Sequence, residues 1–270
     1  MEEAASRLEP GKGILPRWSV VIPAYNEEKR LPAYLREITE YFDGRGEKYE
    51  VVVVDDGSQD GTGAVVKSLR DSCPALRLVQ LPRNRGKGCA VRTGMLEAVG
   101  ELRLFADADG ATPIREVERL EEQITQGADI AIGSRALRDN TRTVQAKWHR
   151  IFFGQIFNAI VRCLSVRGIA DTQCGFKLFR AQVAMDLFSV LQIDGYGFDV
   201  ELLFVAQRRG YGIAEVPINW ADQAGSKVRV AHDGLCMLHE VWVIRRNELR
   251  GLYAPREVTL PLSTRSASHG

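Results

Sequence analysis

Histidine is scarce in this sequence, cysteine is scattered, and neither sign of charge prevails. The four histidines (His149, His232, His239 and His269) offer no evident general base. The five cysteines (Cys73, Cys89, Cys163, Cys174 and Cys236) are odd in number and never in C-x-x-C spacing. That argues against a disulfide framework or a zinc site, and reduced thiols in a cytoplasmic compartment are expected. Lys and Arg number 36 against 35 Asp and Glu, so whole-chain charge makes no case for nucleic acid as a partner. No uncharged apolar run reaches the roughly 18 residues of a membrane span. The opening "MEEAASRLEPGKG" is acidic and polar, unlike a secretory signal, and the polar end "LSTRSASHG" is expected to fray. Internal repeats and flexible linkers are also missing.

What is present is 45% hydrophobic residues in a strand–helix alternation. "SVVIPAY" (19–25), "EVVVVDDGS" (50–58), "LRLVQL" (76–81), "LRLFA" (102–106) and "ADIAIGS" (128–134) read as strands. Leu31, Tyr34, Leu35, Ile38 and Phe42 recur at helical spacing, as do Val65, Val66 and Leu69, and then Ile114, Val117, Leu120 and Ile124. Thr112–Pro113 marks a helix start, and "NRGKG" (84–88) a turn entering a helix that runs to about Val99. This pattern predicts an α/β fold, a mostly parallel Rossmann-like sheet flanked by helices. Further on, strands are expected in "DTQCGFKLF" (171–179) and "YGIAEVPINW" (211–220). Helices are expected at 181–190, Asp199–Arg208 and Gly234–Arg246. Residues 1–17 form a polar lead, 18–247 the domain (halves 18–135 and 136–247), and 248–270 a tail.

Ligands of such sheets bind beyond the carboxyl ends of strands. Here those ends are Tyr25–Glu27, Asp55–Ser58 and Asp107–Asp109, all polar. Asp107 and Asp109, one residue apart in "FADADGAT", repel each other unless a cation intervenes. Hard oxygen ligands of this kind suit Mg²⁺ or Mn²⁺ carrying a diphosphate. An acidic pair on a surface loop is the plain alternative. Asp55 and Asp56 read either as turn formers or as acceptors for a nucleobase N–H or ribose hydroxyl. Gly86–Lys87–Gly88 has neither P-loop nor dinucleotide spacing, yet a helix start bearing Arg85 and Lys87 favours a phosphate.

Together, "VIPAYNEE", "VVVVDDGSQDGT", "NRGKGCAVRTG" and "FADADGAT" resemble the family 2 glycosyltransferases of the GT-A fold, in order and spacing across roughly residues 18–135. "GSRA", "DTQCGFKLF", "GYGFDVELL" and "GSK" extend the resemblance to about residue 245, toward the dolichyl-phosphate β-glucosyltransferases and prokaryotic polyprenyl-phosphate relatives. The resemblance implies that Pro23, Ala24, Tyr25 and Glu27 line a nucleoside pocket. It implies that Asp55 or Asp56 contacts the base, with Asp56 favoured beside uracil. Asp107 would face the ribose or the metal, and Asp109 would be the principal metal ligand. Dolichyl-phosphate mannose synthases can place a metal-assisting side chain two residues further on. Here that position is Ala111, which favours the glucosyl-type branch.

The expected reaction is inverting transfer of a hexose, glucose from UDP-glucose, onto a polyprenyl or dolichyl phosphate. A phosphate acceptor is already anionic and needs no general base, only cations and a metal for the departing diphosphate. Asp107, Asp109, Asp199 and Arg135 are the residues expected at the transfer step, with Asp199 positioning a cation or the sugar. Arg135, Arg150, Lys177, Lys227 and Arg229 are the expected acceptor-phosphate cations. For each of them a solvated surface charge is the plain alternative. The segments 148–164 and 234–246 are apolar with basic flanks, and read as interfacial helices or as core. Peripheral attachment at the cytoplasmic face of a membrane is expected, and homo-oligomerisation is left open. The rivals are a soluble hydroxyl acceptor, with Asp199 or Glu201 as base, and a non-catalytic nucleotide-sugar binding module.

Overall fold

The computed structural model describes residues 15–71, 73–137, 144–145, 166–221, 223 and 230–254. Strands β1 (Trp18–Ala24), β2 (Tyr49–Asp55), β3 (Leu76–Gln80), β4 (Leu102–Ala106) and β5 (Ile130–Ser134) alternate with helices. These helices are α1 (Leu31–Arg45), α2 (Thr62–Arg70), α3 (Lys87–Glu97) and α4 (Val117–Thr125). Then come β6 (Val144–Gln145), β7 (Phe176–Arg180), α5 (Ala181–Phe188), α6 (Phe198–Arg208), β8 (Ile213–Pro217), β9 (Trp220–Ala221) and α7 (Val230–Leu249).

Seven strands form one sheet in the order β3-β2-β1-β4-β7-β5-β8, while β6 and β9 pair separately. Only β7 runs against its neighbours, pairing antiparallel with both β4 and β5. Successive side chains of a strand alternate faces. Val20, Ile22, Val51, Val53 and Leu104 therefore pack on one side with Leu35, Ile38, Phe42 and Leu120 from α1 and α4. Val21, Val52, Val54 and Phe105 pack on the other with residues of α3, α5 and α6. The four consecutive valines of β2 are all buried because both faces are covered.

The order places β1 between β2 and β4, so the chain leaves β1 in opposite directions for its two neighbours. The crevice at their carboxyl ends is where sheets of this class bind ligands.

Several element limits differ from the sequence reading. Pro113 is extended (φ −57°, ψ 139°), so a single 3-10 turn at Ile114–Glu116 precedes α4. Residues 171–175 lie outside β7, and the 211–220 run breaks into β8 and the start of β9. Helix α7 is longer than the expected 234–246. The 148–164 helix, Arg150, Lys227 and Arg229 fall outside the described residues.

Candidate active site

The loops after β1 and β2 are laced together. Pro23 and Ala24 end β1 buried, and the Ala24 carbonyl accepts the Asp56 N–H at 2.8 Å. Asn26 takes a left-handed conformation (φ 53°), which Asn tolerates better than most residues. Its Oδ1 accepts the Gln59 N–H (2.8 Å), while its own N–H donates to Ser58 Oγ (2.9 Å). The Glu27 N–H donates to Thr62 Oγ1 at 2.7 Å, and Glu28 Oε2 accepts the Gly61 N–H at 2.6 Å. Glu27 also grips Arg30, from Nε (2.7 Å) and Nη2 (2.5 Å). Tyr25, next in the chain after Ala24, is half-buried.

Asp55 and Asp56 are both buried, and both are engaged by the protein. Asp55 accepts the Ser58 N–H (2.9 Å) and Gln80 Nε2 (3.2 Å). Asp56 accepts the N–H groups of Arg85 and Gly86, each at 2.8 Å. Burial nevertheless pushes the Asp56 carboxyl above its ordinary pKa. Asp56 thus holds the turn that leads into α3.

That turn meets a second segment from the opposite side. The Asp194 carbonyl accepts the N–H groups of Gly88 (2.8 Å) and Cys89 (3.2 Å) at the start of α3. A Cβ on Gly86 (φ 108°) would run into that carbonyl, and one on Gly88 into the Ile193 carbonyl and the Phe198 side chain. The glycines of "GKG" therefore serve a close approach of chain to chain. The sequence reading expected this helix start, with Arg85 and Lys87, to favour a phosphate; the N–H groups of Gly88 and Cys89 are occupied by Asp194, Arg85 pairs with the Asp194 carboxylate and Lys87 with Asp107.

Beyond β4, acids and cations alternate in a row. Asp107 Oδ1 meets Lys87 Nζ at 2.7 Å, and the Asp107 N–H donates to the Gly175 carbonyl at 3.0 Å. Lys87 is held well above its usual pKa: burial opposes its charge, but Asp107 and Asp199 outweigh it. Asp199, in the first turn of α6, accepts Lys177 Nζ at 2.5 Å, and that ammonium also donates to the Cys174 carbonyl at 2.6 Å. Both ammonium groups lie over the Phe105 ring, at 5.3 and 5.8 Å from its centroid.

Lys177 has no exposed surface. The expectation that it faces an acceptor phosphate is therefore corrected: it is the buried counter-ion of Asp199. Burial pushes Asp199 up, and the cations of Lys177 and Lys87 pull it back only in part. Arg135, a third exposed, binds Asp171 through Nε (2.7 Å) and Nη2 (2.9 Å) and lies over the Trp220 ring. Burial alone would raise Asp171, but the Arg135 guanidinium outweighs it and holds the acid below its ordinary value.

Asp109 is the least satisfied acid of the set. Its Oδ1 accepts the Ala111 N–H at 3.1 Å, and its Oδ2 lies 4.0 Å from Arg30 Nη1. Burial, and then the charge of Asp107, push its pKa up. A divalent cation would relieve that strain, and two carboxylates are the hard donors Mg²⁺ or Mn²⁺ prefers. Among the described residues no group of three His, Cys, Asp or Glu is placed to hold a metal unaided. Two carboxylates would leave the other positions of such an ion to diphosphate and water, so the residues fit a metal that would arrive with its substrate.

Sequence reasoning overlooked Arg30, which stands between Glu27 and Asp109, and Asp171, which orients Arg135. It also overlooked residues 191–194, while Gly195–Gly197 entered only as part of the "GYGFDVELL" motif. The signal for Arg30 was present: a cation three residues after Glu27, at a strand end otherwise crowded with acids.

The strand order reverses at β1, which runs parallel to both neighbours, and a pair of acids follows β4, as expected for the GT-A class of glycosyltransferase. Residues 19–188 match the family model described as "Glycosyl transferase family 2". The dolichyl-phosphate beta-glucosyltransferase of Mus musculus is 42% identical over 248 residues, covering 87% of this chain and 76% of its own. Those of Homo sapiens and Saccharomyces cerevisiae are 40% and 37% identical, with the same coverage. Glucosyl-3-phosphoglycerate synthase from Mycobacterium tuberculosis, solved with Mn²⁺, UDP and glucosyl-3-phosphoglycerate, shares the fold. Its TM-score is 0.64 at 19% identity, over 92% of this chain and 83% of that one. The chain belongs to glycosyl transferase family 2.

Proposed function

We propose that the protein transfers glucose from UDP-glucose to the phosphate of a polyprenyl or dolichyl lipid, inverting the anomeric carbon. Pro23, Ala24, Tyr25 and Glu27 line the nucleoside side, with Asp55 and Asp56 setting the loops beneath it. Asp109 and Asp107 would hold Mg²⁺ or Mn²⁺, and the chemistry such an ion would supply there is charge neutralisation for a diphosphate leaving group. Lys87 stands against Asp107, ready to exchange part of that pairing for a phosphate oxygen. Arg135, oriented by Asp171, supplies a fixed guanidinium toward the acceptor. The acceptor oxygen attacks C1 directly, because it carries no proton that must leave.

The observation that carries this choice is the state of the two candidate bases. Asp199 is buried against Lys177. Glu201 is buried and accepts the N–H groups of Gln192 (3.0 Å) and Ile193 (2.9 Å) and the Tyr253 hydroxyl (2.6 Å). Neither is open to a sugar or other hydroxyl, so a hydroxyl acceptor would lack the base it needs. The relatives at about 40% identity carry lipid-phosphate names, which supports the same reading.

No helix among the described residues is long and apolar enough to cross a membrane. Peripheral attachment is therefore proposed, through an outer face of α7 where Trp242 (57% exposed) and Leu249 (89%) flank Arg245. The test offers UDP-glucose, with Mg²⁺ or Mn²⁺, to polyprenyl phosphate and to soluble hydroxyl acceptors in parallel. Labelled lipid is the expected product. Label only on a hydroxyl acceptor would overturn the reading, and UDP binding without any transfer would favour the binding module.

A further inference from the structure

Residues 191–197, between α5 and α6, connect two candidate site residues that no direct bond joins. At one end this segment caps α3, which begins with Lys87: besides the Asp194 carbonyl, the Asp194 carboxylate binds Arg85 (3.1 Å) and Arg92 (2.5 Å). At the other end it becomes α6, whose second residue is Asp199. The side away from α3 is held by two carboxylates from different helices. Glu201 of α6 takes the N–H groups of Gln192 and Ile193. Glu240 of α7 takes the N–H of Gly197, the residue before α6, at 2.8 Å.

Glu240 is fitted closely against this turn. A Cβ built on Gly195 or Gly197 would meet the Glu240 side chain before anything else. Neither glycine has positive φ, so the backbone itself would accept alanine at both. It is the Glu240 side chain that takes up the space. A carboxylate bonded to the first N–H groups of a helix also complements that helix's positive end.

We propose that Glu240 is a positioning residue for the transfer reaction. By fixing the Gly195–Gly197 turn it sets the start of α6, and with it the placement of Asp199 against Lys87, Lys177 and Asp107. Reacting groups displaced by about 1 Å lose rate steeply, so a latch on this turn acts on turnover more than on binding. The inference rests on the transfer reaction proposed above.

The experiment uses the full chain as Glu240→Ala, Glu240→Gln, Gly197→Ala and the double variant Gly197→Ala/Glu240→Ala. Transfer kinetics with UDP-glucose and polyprenyl phosphate are followed alongside hydrogen exchange of residues 191–199. Glu240→Ala is expected to lower kcat about tenfold while KM for UDP-glucose changes less than about twofold. Glu240→Gln keeps an oxygen for the Gly197 N–H and retains most of the rate. Gly197→Ala pushes the flexible carboxylate aside and reproduces the loss. The double variant falls no further than either single one, because both break the same contact. Exchange quickens in every variant except Glu240→Gln.

Wild-type kcat in Glu240→Ala would overturn the proposal. So would losses that multiply in the double variant, or a rise in KM at constant kcat. If the wild type transfers nothing to the lipid, it is the transfer reading that fails. The latch is then judged by exchange alone, and unchanged protection in Glu240→Ala refutes it.

Discussion

On the side of the site proposed for the nucleotide, three carboxylates are tied down by backbone N–H groups of loops close by in the fold, Asp55 by Ser58, Asp56 by Arg85 and Gly86, Asp109 by Ala111, while Glu27 and Asp107 meet Arg30 and Lys87. On the proposed acceptor side, the acids around β7 are tied to cations alone among side chains, Asp199 to Lys177 and Asp171 to Arg135. The difference follows from position. The first set lies at loops where free N–H groups abound. The second lies around β7, an antiparallel strand covered on both faces, where a charge without a partner is costly. The proposed nucleotide side should therefore lose function with a smaller loss of stability when an acid is removed, and the proposed acceptor side should lose both.

The sharpest break of that comparison is at Asp199. Removing it strands the Lys177 ammonium, which has no exposed surface. Asp199→Ala is expected to cost about 3–5 kcal/mol of stability, measured by urea unfolding. Replacing both partners by apolar residues, Lys177→Met with Asp199→Leu, should recover most of that stability while turnover stays low. A single Asp199→Ala that unfolds like the wild type would mean that the pair is not what holds β7 to α6.

Asp109→Ala is the counterpart. It accepts one backbone hydrogen bond and has a raised pKa, so its loss should change stability by less than about 1 kcal/mol. Turnover should fall by about 10²–10³-fold, and dependence on added Mg²⁺ or Mn²⁺ should flatten. A variant that still responds to metal at wild-type concentrations would move the metal away from this acid.

These two acids also mark where the sequence was readable and where it was not. "FADADGAT" ends an apolar strand, so the exposed strand end and its acids follow from local pattern alone. Asp199 sits in a helix's first turn, where an acid has an ordinary local explanation in the helix dipole. Its partner lies 22 residues earlier, on a strand of opposite direction, and no local pattern links them. Lys177 misleads for a related reason. Alternation in "FKLF" allows one face to be solvent, but β7 lies between β4 and β5 under helices on both sides. A lysine flanked by apolar residues on both faces was the available signal that an acid must cover it. The mostly parallel order, by contrast, was legible in the valine run of β2 and the strand–helix spacing. The 191–197 segment has no periodicity at all, and its role depends on Glu240, more than 40 residues away.

Asp56 probes the nucleotide side from within. Its two hydrogen bonds hold the turn before Lys87, so Asp56→Ala leaves the N–H groups of Arg85 and Gly86 without their acceptor. A cost of about 1–3 kcal/mol is expected, with UDP affinity reduced alongside it. If UDP affinity falls while stability does not, Asp56 is a base contact first and a loop tie second.

The smallest effect, and the finest test, concerns pH. Arg135 holds Asp171 below its ordinary pKa, so between the two values the unfolded chain binds more protons than the folded one. Stability from this acid is fully present above the ordinary carboxylate value of about 3.9 and drains away as pH falls through the folded value. Asp56, Asp109, Asp199 and Glu201 have raised values, and their contributions run the other way, declining as pH rises from about 4 through each folded pKa. The acid limb of the whole protein therefore mixes both signs and isolates neither. Subtracting the curve of Asp171→Asn from that of the wild type removes the shared groups. The difference should be flat above about pH 5 and close progressively below about pH 4, as measured by urea unfolding across that range. A difference that instead widened toward low pH would mean that Asp171 is protonated in the folded protein and that its bond to Arg135 is not ionic.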